Sequence, residues 1–336
     1  MNAFPAGYPP AQGHNGGPPM VTDAAAQLLG FNDAEQRVWS FFLNQVHRID
    51  TEVFDVEYPD IRYPDLIPVD TQGGEWLQAI TYFSTDRVGA AQWFHAGAQD
   101  VPLVGMTRNT FSTSVQMAAI GYGYNEEELA IATQLGQNLT NDKASVCRRA
   151  AEEFIDRVAF AGDAAMGFTG LLNSPSVSAS TVAGGVWSAK TGDQVLNDVN
   201  AALTGMWTAS SGIELADTLL LPQASFADLL TRARSATSDA TVMEFLQKAN
   251  IYTAQTGRPL TIRGLWGLNT AGAGSTGRMV AYRRDKNVLR LHIPMPFQFR
   301  QPWRKGPLMY EVPGIFRLGG LDIRRPGAVR YVDGIL

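Results

Sequence analysis

The sequence predicts an α+β chain built from a long exposed hairpin, one long amphipathic helix and a separate mixed α/β unit. Three observations carry that expectation. Residues 75–124 hold long limbs with a period near two, as where Thr110, Ser112 and Ser114 alternate with Phe111, Thr113 and Val115. Ala144, Cys147, Ala151, Phe154 and Val158 recur at spacings of three and four, one apolar stripe along a helix. Between residues 191 and 290, helical and strand patterns alternate.

Taken in order, residues 1–31 are rich in Pro and Gly and read as an arm, because neither residue sustains a helix or strand at that density. The first twenty have no basic stretch leading into an apolar run, so no signal peptide is expected. Asn32 and Asp33 suit the cap of a helix whose Val38, Phe42, Val46 and Ile49 share a face. Residues 50–70 carry seven acids against one arginine, and YPDI at 58–61 recurs as YPDL at 63–66. The prolines argue for an extended course there.

In the hairpin, EWLQAITYFSTDRVGAAQWF and NTFSTSVQMAAIGYGY read as two strands, with HAGAQDVP turning between them. At about 3.3 Å per residue each limb reaches tens of Å. A globule of 336 residues has a radius of gyration of only about 20 Å. The arm therefore folds back or projects onto another subunit.

Asn125 suits the cap of a helix whose first turn holds Glu126, Glu127 and Glu128; Gly136 and Thr140 interrupt it, and a second, long helix then runs to about Phe160. Val195, Val199 and Leu203 mark the next helix, Thr218–Leu221 a strand, and a helix follows Pro222. A helix at 241–250 precedes strands near 260–265, 279–284 and 288–293, and the last forty residues read as strands.

Composition narrows the function. Charged residues are 18% of the chain, against roughly 25% in an average domain, which favours membership of an assembly. The net charge of −5 divides into −13 over residues 1–277 and +8 over 278–336. The two parts can attract within or between subunits. Cys147 is the lone cysteine, so neither an internal disulfide framework nor a zinc site built on cysteine pairs is available. The longest uncharged stretch, 164–189, is too polar to span a bilayer.

Catalytic readings find no anchor. Gly272, Gly274 and Gly277 fit G-x-G-x-x-G, but the RMVAYRRD that follows reads as a strand rather than the helix a dinucleotide needs. Glu126–Glu128 and Glu152, Glu153 and Asp156 lie on polar helix surfaces, not as an opposed pair in a pocket. Cys147 sits in the apolar stripe, away from any pairing with His14, His47, His95 or His292. No nucleophile elbow or paired-histidine metal motif occurs, so no catalytic residue, metal or cofactor is expected. Arg283, Arg284, Lys286, Arg290, Arg300, Arg304 and Lys305 interleave with Phe297, Phe299 and Trp303, a pattern that suits single-stranded nucleic acid. Strands pairing with the acidic 50–70 segment account for them more simply in an acidic chain.

Arm, hairpin, long helix, α/β insertion and returning strands, in that order, resemble the major capsid protein of tailed bacteriophages, the Hong Kong 97-type fold. The residues that carry the resemblance are AEEFIDRVAFAGDAAMGFTGLLNSPSV (151–177), with its Gly170, Leu171, Leu172 and Asn173 turn, TLLLPQASFADLL (218–230) and LGGLDIRRPGAVRYVDGI (318–335). The resemblance implies an N-terminal arm at 1–31, a peripheral domain from 32–74, 119–190 and 291–336, an extended loop at 75–118, and an axial domain at 191–290. It implies pentamers and hexamers closing into an icosahedral shell around double-stranded DNA, in a virion assembled in a bacterial cytoplasm. It places Trp76, Phe83, Arg87, Trp93, Phe94, His95, Arg108 and Phe111 against a neighbouring subunit. Arg283, Arg284, Lys286, Arg300, Arg304 and Lys305 would meet nucleic acid or a neighbour.

Two departures from the family pattern matter. Some members cross-link through a lysine on the extended loop, whereas the first lysine here is Lys143. A shell held non-covalently is the expectation, with a decoration or cementing protein as a further partner. The short arm leaves no room for a fused scaffold, so scaffold and portal are expected to be separate proteins. The alternatives are an encapsulin-like compartment enclosing cargo enzymes and, from a different class, an α/β enzyme built on 191–290.

Overall fold

A computed structural model describes residues 60–89, 93, 103–125, 127–128, 139–235, 240–306 and 308–336. The arm, the helix expected after Asn32 and the acids at 50–59 lie outside the described residues, as do Phe94, His95, His14 and His47.

The chain enters through a single helical turn, α1 (Tyr63–Leu66), and a two-residue strand, β1 (Val69–Asp70). The second YPD repeat is therefore helical rather than extended. Pro64 lies in the first turn, where its missing N–H leaves no hydrogen bond unmade. The N–H groups of Arg62 and Tyr63 both donate to Asp156 Oδ1 at 2.9 Å.

Two strands, β2 (Ala79–Val88) and β3 (Gly105–Ser114), form the hairpin, and β4 (Gln116–Asn125) follows. The sequence reads 109–124 as one strand; the structure divides it at buried Val115, where the pairing partner changes. Before Val115 the chain pairs with β2, and after it with a strand nearly two hundred residues away. Period-two patterning is the same on both sides, so only the partner reveals the break.

The long helix α2 (Leu139–Ala161) buries Cys147, Ala151, Ile155, Val158 and Ala159, along the expected stripe. Its end explains the Gly170-Leu-Leu-Asn turn. The N–H groups of Leu171 and Leu172 donate to the carbonyls of Ala159 and Phe160 at 2.9 and 3.0 Å. The Asn173 amide donates to the Ala161 carbonyl at 2.6 Å and accepts from Gly170 N–H at 2.8 Å. Carbonyls that a helix C-terminus leaves without partners are thus satisfied by a returning loop. A Cβ on residue 170 would stand 2.1 Å from the Phe160 oxygen, so only glycine permits that approach.

Downstream come β5 (Ala179–Thr181), α3 (Gly192–Ala209), β6 (Thr218–Pro222), α4 (Gln223–Thr231), α5 (Val242–Lys248), α6 (Ile251–Thr256), β7 (Thr261–Leu265) and β8 (Arg278–Tyr282). The chain ends with β9 (Leu289–His292), β10 (Met295–Phe299), β11 (Trp303–Arg304), β12 (Met309–Leu318), β13 (Gly320–Ile323) and β14 (Val329–Asp333). A five-stranded sheet in the order β5-β14-β8-β6-β7 divides two cores. Met279 and Ala281 of β8 and Leu219 and Leu221 of β6 face α3, with its Val195, Val199 and Leu203. Val280, Tyr282 and Leu220, one residue out of phase, face the α2 side. The sheet takes β5 and β14 from outside 191–290, so the core of that segment is completed by the end of the chain.

Arg278 and Asp333 fasten this sheet. Arg278 Nε and Nη2 donate to the two carboxylate oxygens at 2.6 and 2.9 Å, and Nη1 reaches the Leu172 carbonyl at 2.6 Å. Burial pushes the Asp333 carboxyl upward, and the bidentate guanidinium outweighs it and holds the group below the usual carboxylate range.

The remaining strands form two small sheets. β12 pairs with β4 on one side and with β10 and β11 on the other, and β9 pairs with β1 and β13. Phe154 of α2 meets Phe316 of β12 edge-on at 5.7 Å, joining helix and sheet.

Candidate inter-subunit surface

Ten consecutive residue pairs, from Ala79↔Ser114 to Val88↔Gly105, build the hairpin, and no third strand joins it among the described residues. One face carries Ile80, Tyr82 and Phe111, and the other Thr81, Phe83, Arg87, Met106 and Arg108. Tyr82 and Phe111 stack at 5.1 Å, and the Arg108 guanidinium lies 4.2 Å over Phe83. These contacts stiffen the ribbon without hiding it. Phe83 is 55% exposed, Phe111 47% and Leu103 90%, and Trp93 is fully exposed. Arg87 and Arg108 are exposed as well.

Among the described residues, the root ties the hairpin to the body. Arg317, buried in β12, donates to the carbonyls of Glu75 and Val115 at 3.3 and 3.5 Å, spanning both limbs. The guanidinium groups of Arg300 and Arg317 lie 5.8 and 5.9 Å from the Trp76 ring. Arg324 covers Tyr82 at 4.7 Å; burial and then the Asp322 carboxylate push that phenol's pKa up. Beneath the root, His292 lies between Asp70 and Asp322, at 3.7 and 3.8 Å. A Cβ at Gly319 would come within 3.0 Å of His292 and 3.1 Å of Ile80, a tight fit that the neighbours could admit only by shifting.

Among the sequence-derived contact residues, the structure places Phe83, Arg87, Arg108 and Phe111 on the hairpin, Trp93 beyond the end of β2, and Trp76 at the root. The root clamp was missed. Its signal was a charged residue inside the apolar run IFRLGGL (315–321). A further open edge belongs to β4, whose outer side has no strand among the described residues. Lys143 occupies part of it, with Nζ 3.0 Å from the Gly123 carbonyl and 2.9 Å from Glu128.

The basic residues separate into two groups. Arg283, Arg284 and Lys286 lie in and around the β8–β9 turn. Arg300, Arg304 and Lys305 lie on the sheet of β10, β11 and β12 and are engaged there. Arg300 lies 5.8 Å over Trp76, Arg304 lies 5.9 Å over Tyr310, and Lys305 pairs with Glu311.

The remaining chemical candidates have structural tasks. The glycine-rich loop forms a tight turn at Ala273–Ser275 and runs into β8. Ala273 N–H donates to Asp333, so a carboxylate stands where a phosphate would be needed. Glu152 accepts from the Tyr63 hydroxyl at 2.6 Å, Asp156 caps α1, and Glu153 pairs with Arg149. Burial raises the pKa of the Cys147 thiol, which disfavours the thiolate. Among the described residues no group of carboxylates, histidines and cysteine could hold a metal, and no helix is long and apolar enough to cross a membrane.

A model of the family described as major capsid protein matches residues 89–335. No curated protein sequence matches the chain. Among solved structures, the capsid of Myoviridae phage XM1 superposes with a TM-score of 0.73 at 20% identity, covering 87% of this chain and 97% of that one. A structure of Mycobacterium phage Bobi gives 0.56 at 12% identity over 93% and 98% of the two chains. The capsid of an empty GTA particle gives 0.58 at 10% identity over 91% and 100%. At these identities the likeness concerns the fold.

Proposed function

The chain belongs to the major capsid protein family, and from that premise we propose that the β2–β3 hairpin is the arm by which one subunit holds the next in an icosahedral phage shell. As a major capsid protein it is a structural protein of the virion, with the Hong Kong 97-type fold, and its first partner is another copy of itself. The encapsulin-like reading is not favoured, and the family is not one of enzymes.

The observation that carries the reading is the exposed ten-pair hairpin. An isolated two-stranded ribbon is marginal in water and needs a third surface to be stable. Its root is clamped by Arg317 while its outer length carries Phe83, Met106 and Phe111 in the open. A neighbouring subunit supplies that surface, by burying the aromatic side chains and by pairing with the open edges.

In the proposed assembly, residues 191–290 converge at the centres of pentamers and hexamers, and 32–74, 119–190 and 291–336 form the periphery. Trp93 lies toward the arm's far end. The shell encloses double-stranded DNA, assembles in the bacterial cytoplasm with a separate scaffold and portal, and accepts a decoration protein. No lysine occurs in the loop 75–118, so its subunits are held without covalent links.

Negative-stain electron microscopy of the purified chain, beside size-exclusion chromatography, tests this. Closed shells or rings of five and six are expected; a preparation holding compact monomers alone would overturn it. On a denaturing gel, shells should run as one single-chain band, and a covalent ladder would refute the non-covalent part.

A further inference from the structure

We propose that a basic corner made by the β8–β9 and β13–β14 turns contacts the phosphate backbone of the enclosed nucleic acid, while the cations at the β10–β12 end of the molecule serve protein contacts. This rests on the capsid reading and deepens it, because it assigns one partner to each of two cationic groups that look equivalent in sequence.

The corner is built by the fold. The N–H groups of Arg324 and Arg325 donate to the Val288 carbonyl at 2.8 and 3.3 Å, and Arg283 N–H donates to the Ala328 carbonyl at 3.1 Å. Turns forty residues apart in sequence are thereby held side by side. One supplies Arg283, Arg284 and Lys286, and the other Arg324 and Arg325.

The carboxylates facing the corner leave some of these cations free. Buried Glu214 takes Arg283 and Arg325 at 3.1 and 2.8 Å, Asp285 takes Arg283 at 3.2 Å, and Asp322 takes Arg324 at 3.0 Å. Asp217 accepts the Arg284 main-chain N–H at 2.7 Å and the Thr218 hydroxyl at 2.9 Å, and makes no ion pair with the Arg284 guanidinium. The exposed Arg284 guanidinium donates to the Pro64 carbonyl at 3.1 Å and meets no carboxylate among the described residues. Exposed Lys286 makes no side-chain ion pair there either. Both retain donors for an anion that the described residues do not supply.

What surrounds the cations selects the partner. No large exposed apolar side chain lies on either turn, 283–288 or 324–328. Protein interfaces have an apolar or aromatic centre, whereas phosphate contacts require only accessible donors on a positive surface. The other group has the opposite surroundings: Trp303, Leu308 and Met309 stand exposed beside Arg304 and Lys305. That second group has the composition of a protein-facing surface.

The test measures binding of the full-length, unassembled chain to a short fluorescent DNA duplex across a salt series, by anisotropy. For the Arg284→Gln/Lys286→Gln double variant, the slope of log K against log salt should fall by about 2 in magnitude, at ~0.9 per phosphate contact, equally for unrelated sequences. The Arg304→Gln/Lys305→Gln variant should bind as the wild type does. Circular dichroism confirms that each variant is folded. An unchanged slope for the first variant, a fall for the second, or no binding by the wild type at low salt would overturn the proposal. If the first variant binds DNA normally yet fails to close shells in the microscope, the corner is a subunit contact and the proposal is wrong. Failure of the wild type to form shells is read separately and strikes the capsid reading itself.

Discussion

The five-stranded sheet and the hairpin are built from the same kind of strand and treat their side chains in opposite ways. All five residues of β6 and of β8 are buried, with alternate residues serving the two cores. Along β2 and β3 the alternation is equally regular, yet among the described residues neither face is covered beyond the root. Alternation alone therefore does not make a core. The sheet is finished within the chain by helices on one side and α2 on the other. The hairpin is left for another molecule to finish, and substitutions in the two regions should separate subunit stability from assembly.

The largest effect is expected at Asp333→Ala. It strips the carboxylate from buried Arg278 and should cost roughly 3–5 kcal/mol in urea unfolding of the subunit. A loss below 1 kcal/mol would mean that the sheet does not depend on the pair.

Gly170→Ala comes next, because its methyl group would meet the Phe160 carbonyl at the end of α2. A loss of roughly 1–3 kcal/mol is expected, read as a lower thermal midpoint. A thermal midpoint equal to the wild type's would show that the loop moves aside without penalty.

Acid provides a smaller and more selective probe. Asp333, Asp322 and Asp70 are each pushed up by burial and pulled below their ordinary range by their partners: Arg278 for Asp333, His292 and then Arg324 for Asp322, and the Gln72 N–H and then Arg290 for Asp70. A depressed folded pKa stabilises above the unfolded value, about 3.9, and that stability is lost as pH falls through the folded value. Asp156 has the opposite sign: burial raises its pKa, so protonation relieves it. Urea midpoints should fall as pH drops below about 4, and Asp333→Asn should flatten that fall. An equal pH dependence in the variant would remove Asp333 from the account.

Least should happen to the subunit at Phe83→Ser, whose side chain is over half exposed. Its stability should stay within about 0.5 kcal/mol of the wild type, while the yield of closed shells drops sharply. Normal shells would show that Phe83 lies outside the contact.

Much of the fold was legible wherever a period was matched by a covered surface. The α2 stripe, the Val195, Val199 and Leu203 face and the TLLLP strand all appear near their expected positions. The hairpin was legible from its period and length. The error at Val115 arose because strand pattern records which face a residue is on and not which strand lies beside it. The turn at 63–66 was misread because proline suits both an extended course and a first helical turn.

The candidate surface was legible in part. Aromatic and charged residues on the hairpin announced an exposed ribbon, whereas the clamp of Arg317 to the Glu75 and Val115 carbonyls depends on main-chain atoms that sequence does not describe. The basic residues illustrate the same limit. Sequence grouped Arg283, Arg284 and Lys286 with Arg300, Arg304 and Lys305 by proximity along the chain, and folding sent the two groups to different sheets.

By itself, then, the sequence determined the local periods, the helix stripe, the glycine-dependent turn after α2 and the lack of lysine in the extended loop, because each follows from neighbours a few residues apart. Only the tertiary structure decided that β14 completes the sheet of residues 191–290, that Arg325 joins Arg283 on Glu214, and that the hairpin's faces remain open. These depend on contacts between residues tens to hundreds of positions apart, whose pairing is fixed by burying both cores at once.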